Sequence, residues 1–276
     1  MSVVINNNIS SLIAQKNLGV TQSMLQKSIA RLSSGMRITQ ASDDAAGLAI
    51  SDKLNAQIRG LAQAQRNAGN GISVVATAEG ALNEVTNLLT RMRELAVQAA
   101  SGDLGSNERS NLNAEYAQNL AEIDRIANAT KFNGQVLFSA GATVTFTFQI
   151  GINSGSENVI STTISDARTS ALGVSATTIA YADSAQSVLA TIDAAIETVA
   201  SSRGSLGAQQ NRLESVIRNL SVSIENTTAA YSRIRDVDVA EETATYTKNQ
   251  ILVQAGVAVL AQANQLPSVA LSLLGG

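Results

Sequence analysis

The chain has 276 residues, a formal net charge of −3, and neither Cys nor His. This removes Cys- and His-based nucleophiles, His-dependent Ser triads, the usual zinc sites and any disulfide framework, and with no Lys/Arg cluster a nucleic-acid surface is not expected. Hydrophobic residues reach 45% but aromatics only 3% with no Trp, so the apolar content suits helix-on-helix seams better than a ring-filled core.

Met1 to Asn8 carries no basic stretch followed by an apolar one, so no cleaved signal peptide is expected. Residues 9 to 32 place Leu18, Leu25 and Leu32 at sevens, with Ile29 between them. The pattern predicts a helix stopped at Ser33-Ser34-Gly35, where Gly takes the left-handed position. Its only charges are Lys16, Lys27 and Arg31. Ser42 or Asp43 is the expected cap of the next helix, with Asp44 favourable at its positive end. That helix is predicted from about Asp44 to Ala100. Leu54, Leu61, Ala68, Val75, Leu82, Leu89 and Ala96 form an unbroken heptad column along it. A second column, offset by four, holds Ile58, Gln65, Ile72 and Glu79 and is only half apolar. At 1.5 Å per residue the helix would measure roughly 85 Å, the dimension of a rod. After Leu82 the apolar set widens to Val85, Met92, Leu95 and Ala99, which suggests a contact between subunits as well as within one.

A turn at 101–105 precedes a helix from Ser106 or Asn107 to about Ala129, with Leu112, Tyr116, Leu120, Ile123 and Ala127 as its stripe. The period then changes. Phe132-Asn133-Gly134 reads as a turn and Gln135 to Phe138 as a short strand. Val144, Phe146, Phe148 and Ile150 alternate with polar residues, and a loop at 153–156 returns the chain through Val159 to Ile164. Ser165 to Asp183 reads as irregular surface connection. Helix resumes near Ser184 and runs to about Val239. Ile192, Val199, Leu206, Leu213, Leu220, Thr227 and Ile234 form its heptad column, beside Leu189, Ile196, Ile217, Ile224 and Tyr231. A final helix, Glu241 to Leu266, is expected to stop at Pro267. From Ile251 onward there is no charged side chain, yet the interspersed Gln and Asn make this stretch too short and polar to span a bilayer.

Ordering a backbone costs ~1–2 kcal/mol per residue and a buried Leu or Val returns only ~1.5–3 kcal/mol. One seam therefore cannot hold a long helix alone. The two long helices need each other as antiparallel partners, with 107–129 as a third wall. The end segments are apolar and almost uncharged, and nothing obvious in the chain covers them. Such surface marks an interaction site. Both ends are expected to stay disordered in the free monomer and to order against other copies of the chain. A head-to-tail contact that does not close gives a filament.

Several blocks carry a family resemblance. They are Asn8-Ile9-Ser10-Ser11-Leu12, Arg31 to Ile38, Asp43 to Ile50, Arg93 to Gln98, Phe132-Asn133-Gly134, Gly207 to Leu213 and Gln250 to Gly256. Over about 1–138 and 184–276 the chain resembles bacterial flagellin. The resemblance implies that 1–43 and 240–276 pair as the inner filament core, and that 44–239 is a helical rod domain in the surrounding layer, with its β-hairpin region at about 130–165. With only 139–183 in the middle, this would be a short form without large outer domains. Leu18, Leu25, Leu32, Ile251, Leu252, Val259 and Leu260 are the expected polymerisation residues. Leu54, Leu61, Val75, Leu82, Leu89, Ile192, Val199, Leu206, Leu213 and Leu220 are the expected seam.

The resemblance also implies unfolded export through the flagellar type III apparatus, an export chaperone, filament cap and junction proteins as partners, and an extracellular location in the filament. The vertebrate Toll-like flagellin receptor would read Arg91, Leu95 and Glu115. No cofactor, metal, nucleic acid or membrane insertion is expected. Asp43-Asp44 reads as helix capping before it reads as a catalytic pair. The rival readings are a hook–filament junction protein, which tends to match the central blocks less well, and a soluble coiled-coil adaptor, whose ends should be charged or folded. An enzyme is the weakest reading, since a His-Glu-x-x-His insert is impossible without His. The expected fold is mainly α: an elongated, antiparallel, coiled-coil-like helical rod with a small β-hairpin region.

Overall fold

The computed structural model describes the backbone of residues 7–138, 141 and 143–274, and side chains as far as Gln265. The first six residues of the expected 1–43 segment, the last two of 240–276, and positions 139, 140 and 142 of the middle segment lie outside the described residues. The helices are α1 (Ile9–Ser34), α2 (Ala45–Ala99), α3 (Ser106–Ala129), α4 (Ala182–Arg235) and α5 (Val239–Leu274). Two antiparallel hairpins join α3 to α4: β1 (Lys131–Phe132) with β2 (Gln135–Val136), and β3 (Val144–Gln149) with β4 (Val159–Ile164). The chain is thus mainly α with a small β region. It divides into two compact units, 1–56 with 226–276, and 57–225. The first unit takes in the expected end segments together with 44–56 and 226–239.

In the unit 57–225, α2 and α4 run antiparallel. Gln65 Nε2 donates to Ser221 Oγ at 3.0 Å, and Arg93 pairs with Asp193 at 2.6 Å, so partners descend α4 as they climb α2. Ala68, Val75, Leu82, Leu89 and Ala96 of the first column are buried; Leu61 is half-buried. On α4, Ile192, Val199, Leu206, Leu213 and Leu220 are buried as expected. The companion column on α2 is not the one offset by four, since Ile58, Gln65, Ile72 and Glu79 are only half-buried. It lies three residues on, as Ala64, Gly71, Ala78, Val85, Met92 and Ala99, all buried. Offsets of three and four alternate in a heptad seam, and small residues fill the close positions. A Cβ at Gly71 would meet Leu213 Cδ1 at 3.1 Å and the Phe148 ring at 3.2 Å, so glycine lets the helix, its partner and the hairpin converge. Val85, Met92, Leu95 and Ala99 also lie inside this unit, at 0–1% exposure. The widened apolar set therefore serves the chain's own core and is not available to another subunit.

The β region closes that core. Asn133 (φ 48°) and Gly134 (φ 80°) both take positive φ between paired Phe132 and Gln135, the signature of a two-residue primed turn. The strand after it ends at Val136; Leu137, whose N–H still donates to Thr130 O at 3.1 Å, and Phe138 bury their side chains. In the second hairpin Phe146 and Phe148 stack at 6.4 Å, opposite Thr162 and buried Ile160. The 165–183 connection is not surface ground. Ala167, Leu172, Val174 and Ile179 are buried in the core cluster. Polar groups of α3 hold it there: Thr169 donates through N and Oγ1 to Asp124, and Ile179 N donates to Asn113 Oδ1. Tyr116 Oη shares a 2.6 Å hydrogen bond with Thr177 Oγ1, which satisfies a phenol buried with its ring.

In the unit 1–56 with 226–276, α1 packs antiparallel on α5. Gly35 stops α1 in the left-handed region (φ 70°), its N–H donating to the Arg31 carbonyl. The turns beyond then bridge: Arg37 N donates to Arg235 O at 2.7 Å and Val237 N to Gly35 O at 3.1 Å. Arg235 also reaches Asp52 at 2.8 Å. The cap of α2 is Asp44, whose Oδ1 accepts Gly47 N at 2.8 Å, and not Ser42 or Asp43. Asp43 instead accepts from Thr39 N, Thr39 Oγ1 and Gln40 N, closing the loop before the helix. The last helix does not stop at Pro267 but continues to Leu274. Proline removes one hydrogen-bond donor, and a helix survives that loss where the freed carbonyl finds another partner.

Candidate assembly surface

The α1–α5 pair is assembled from a sequence with little charge. Ala14 and Ser28 are buried on the inner side of α1, and Leu18, Leu25 and Leu32 are half-buried beside them. A Cβ at Gly256 would meet Leu18 Cδ1 at 3.2 Å, so the glycine marks the close approach of α5. Below it, Arg31 reaches Glu242 at 3.5 Å, with Asn249 buried nearby. The two ends thus cover each other along one face, a cover that the apolar pattern alone did not make obvious.

Their other faces are bare. On α1, Ile9, Leu12, Ile13, Val20, Met24 and Ile29 are 47–62% exposed. On α5, Ile251, Leu252, Val257 and Val259 are 45–59% exposed, while Leu260 is half-buried. The expected polymerisation residues therefore divide. Leu18, Leu25 and Leu32 belong to the intramolecular seam; Leu252 and Val259, about half exposed, line the cleft between α1 and α5 beside Leu18, and Ile251 is exposed outside it. The outward residues of α1 were missed because the heptad leucines dominate the pattern. Ile9, Ile13, Val20 and Met24, spaced four, seven and four, form a second stripe that could have been found.

Lys27 of α1 reaches Asp43 Oδ1 at 2.6 Å, and the Asp43 side chain is 5% exposed. The Lys27 hydrogen bond, then those from Thr39 and Gln40, hold the Asp43 carboxyl far below the usual carboxylate range against the opposing effect of burial. An unfolded chain takes up this proton at about pH 4, the folded chain only at much lower pH. The bond's stabilisation is therefore complete at neutral pH and fades as pH falls from about 4 downward. Asp43→Asn is expected to lower the melting temperature of salt-assembled protein, in which α1 is ordered, at pH 7, with the gap to wild type narrowing as the pH of a series of thermal melts falls below about 4.

Of the expected receptor residues, two meet at the surface. Arg91 of α2 donates to Glu115 of α3 at 2.8 Å and to Glu94 at 2.9 Å, with all three side chains at least 44% exposed. Leu95 is fully buried in the core and corrects the three-residue surface expected there. No group of three or more His, Cys, Asp or Glu side chains that could hold a metal ion occurs among the described residues. Among them, too, no helix is long and apolar enough to cross a membrane.

Comparison with known proteins places this arrangement. The chain is 46% identical over 272 residues to the flagellin of Halalkalibacterium halodurans, covering 99% of this chain and 100% of that one. It is 44% identical over 285 residues to the flagellar filament 33 kDa core protein of Treponema phagedenis, with the same coverage. A solved structure of a hook-associated protein from Vibrio parahaemolyticus, described as putative in its own right, matches with a TM-score of 0.61 over 70% of this chain and 100% of that one. At 18% identity it is a likeness of fold alone. The models of the bacterial flagellin N-terminal helical region and C-terminal helical region match residues 5–143 and 189–274, and the chain belongs to the bacterial flagellin family.

Proposed function

We propose that the chain is a structural subunit that polymerises through α1 and α5 into a bacterial flagellar filament. One observation carries the reading: the two helices pair on one face and leave uncharged apolar residues, 45–62% exposed, on the others. Large apolar patches are costly on a solitary protein and serve as contact surfaces. Other copies of the same pair are the natural cover, and a contact that repeats without closing builds a filament. Relatives of the same length named as flagellins and as a filament core protein support this over the junction-protein rival. A soluble adaptor does not need such faces.

The rest of the reading follows from it. The free monomer keeps α1 and α5 disordered until other copies meet them, since their mutual seam is lined by few large side chains. The subunit passes unfolded through the flagellar type III apparatus, escorted by an export chaperone, and works outside the cell with cap and junction proteins at the filament ends. It performs no catalysis. The exposed Arg91–Glu115 pair is the surface offered to a vertebrate Toll-like flagellin receptor, with Leu95 supporting it from below. Arg91→Ala is expected to reduce receptor signalling at equal protein concentration while filaments still form.

The assembly reading is tested on its outward faces. Leu12→Glu and Val257→Glu put a carboxylate where another copy must dock. Each is expected to abolish salt-induced turbidity under conditions where wild type polymerises, with the monomer's far-ultraviolet circular dichroism unchanged. Assembly at the wild-type rate in both variants would remove these faces from the interface.

A further inference from the structure

Pro267 lies inside α5, and a proline has no N–H to give the carbonyl four residues back. That carbonyl belongs to Ala263, which is 6% exposed and so poorly placed to find water. An unpaired buried carbonyl is rare in folded proteins. The structure supplies its donor from the other end of the chain: Asn8 Nδ2 donates to Ala263 O at 2.7 Å. The same side chain caps α1, its Oδ1 accepting from Ser11 N at 3.0 Å. One turn on, Ser11 Oγ reaches Asn264 Oδ1 at 2.7 Å.

We infer that Asn8 and Pro267 form a clasp that sets the register of the α1–α5 pair. The proline creates a vacant acceptor at one position of α5, and the amide of Asn8 is the donor that fills it. This requirement is specific. Toward this end of the pair the seam is carried by Ala14, Leu18, Gly256 and Ala263, small or apolar residues that do not by themselves resist sliding. The Arg31–Glu242 pair and buried Asn249 lie toward the other end. A slide would leave the Ala263 carbonyl unpaired and bury the Asn8 amide without a partner, both unfavourable. The two polar groups thus fix the register at the end of the pair where the seam is apolar, as single buried amides do in coiled coils. Asn suits the role because its side chain has both an acceptor for the cap and a donor for the clasp. Asp would keep the cap and lose the donor, and Ser would keep an acceptor but is too short to reach α5.

The clasp rests on the filament reading, because in a filament the register of each pair is repeated in every subunit. The test is a double-mutant cycle on the full chain, read as the melting temperature of salt-assembled filaments. Asn8→Ser keeps a capping side chain and is expected to lower the midpoint by a few degrees or to block assembly. Pro267→Ala restores an N–H to the Ala263 carbonyl. In that background Asn8→Ser is expected to have little effect, or assembly is expected to return. Additive shifts, or a block that Pro267→Ala does not relieve, would overturn the clasp while the wild-type filaments still stand. Wild-type protein that gives no filaments would overturn the assembly reading, and the clasp with it.

Discussion

Leu213→Asp is expected to lower the melting temperature of the monomer by about 10 °C or more. Leu213 is fully buried, and it packs against the one position of α2 where a glycine admits it. Removing its side chain alone would cost roughly 2–5 kcal/mol. A carboxylate in its place must also give up water with no cation to receive it, or accept a proton. On the same helix, Arg203 is paired with Glu79 and Arg218 with Glu214, and the adjacent Arg212 lies on the exposed face, away from the buried side that Leu213 fills. The loss should be read by circular dichroism on dilute protein, where polymerisation does not mask it. Leu213→Met, which keeps apolar volume, should cost less than about 1.5 kcal/mol. Equal melting of Leu213→Asp and wild type would mean that the α2–α4 seam does not hold this unit together.

The second large effect concerns the ends. A chain lacking 1–40 and 240–276 is expected to remain a soluble, helical monomer and to lose polymerisation entirely. The hydrophobic core formed by α2, α3, α4 and the hairpins lies wholly within 57–225, so the deletion leaves that cluster intact. It removes the α1–α5 pair with its bare apolar faces. Size-exclusion chromatography with circular dichroism should give one monomer peak and a helical spectrum, at any salt concentration that polymerises the intact chain. An aggregated or unfolded fragment would show that the end helices are needed for the core itself.

The long seam was legible because large residues repeat every seven. Val75, Leu82 and Leu89 announce a buried face whatever surrounds them, and α4 answers with Ile192, Val199, Leu206 and Leu213. The companion column was hidden because its first members are Ala64, Gly71 and Ala78. Small residues carry little hydropathy, yet close packing demands them, so a pattern of large side chains reads past them. Leu95 was placed at the surface by the family resemblance; it lies off both heptad columns, yet it is buried in the core cluster. The hairpins were legible from alternation and from Asn133-Gly134. The 165–183 connection was not. Its anchors, Asn113, Asp124 and Tyr116, sit on another element, and its own apolar residues have no period.

The end segments divide in the same way. Their lack of charge was visible and pointed to assembly. Which face turns inward was set by Ala14, Ser28 and Gly256, again small residues. Pro267 was read by its usual effect on a helix; the donor that offsets its missing N–H lies more than 250 positions away, at Asn8. Local rules describe a helix alone, and a tertiary partner can supply what they find missing.

The central claim is that exposed apolar faces on paired end helices make this chain a filament subunit. Negative-stain electron microscopy of the purified intact chain after salt-induced polymerisation tests it most directly. The account predicts long, uniform filaments from the intact chain and none from the chain lacking 1–40 and 240–276. Filaments from the truncated chain, or none from the intact one, would contradict it.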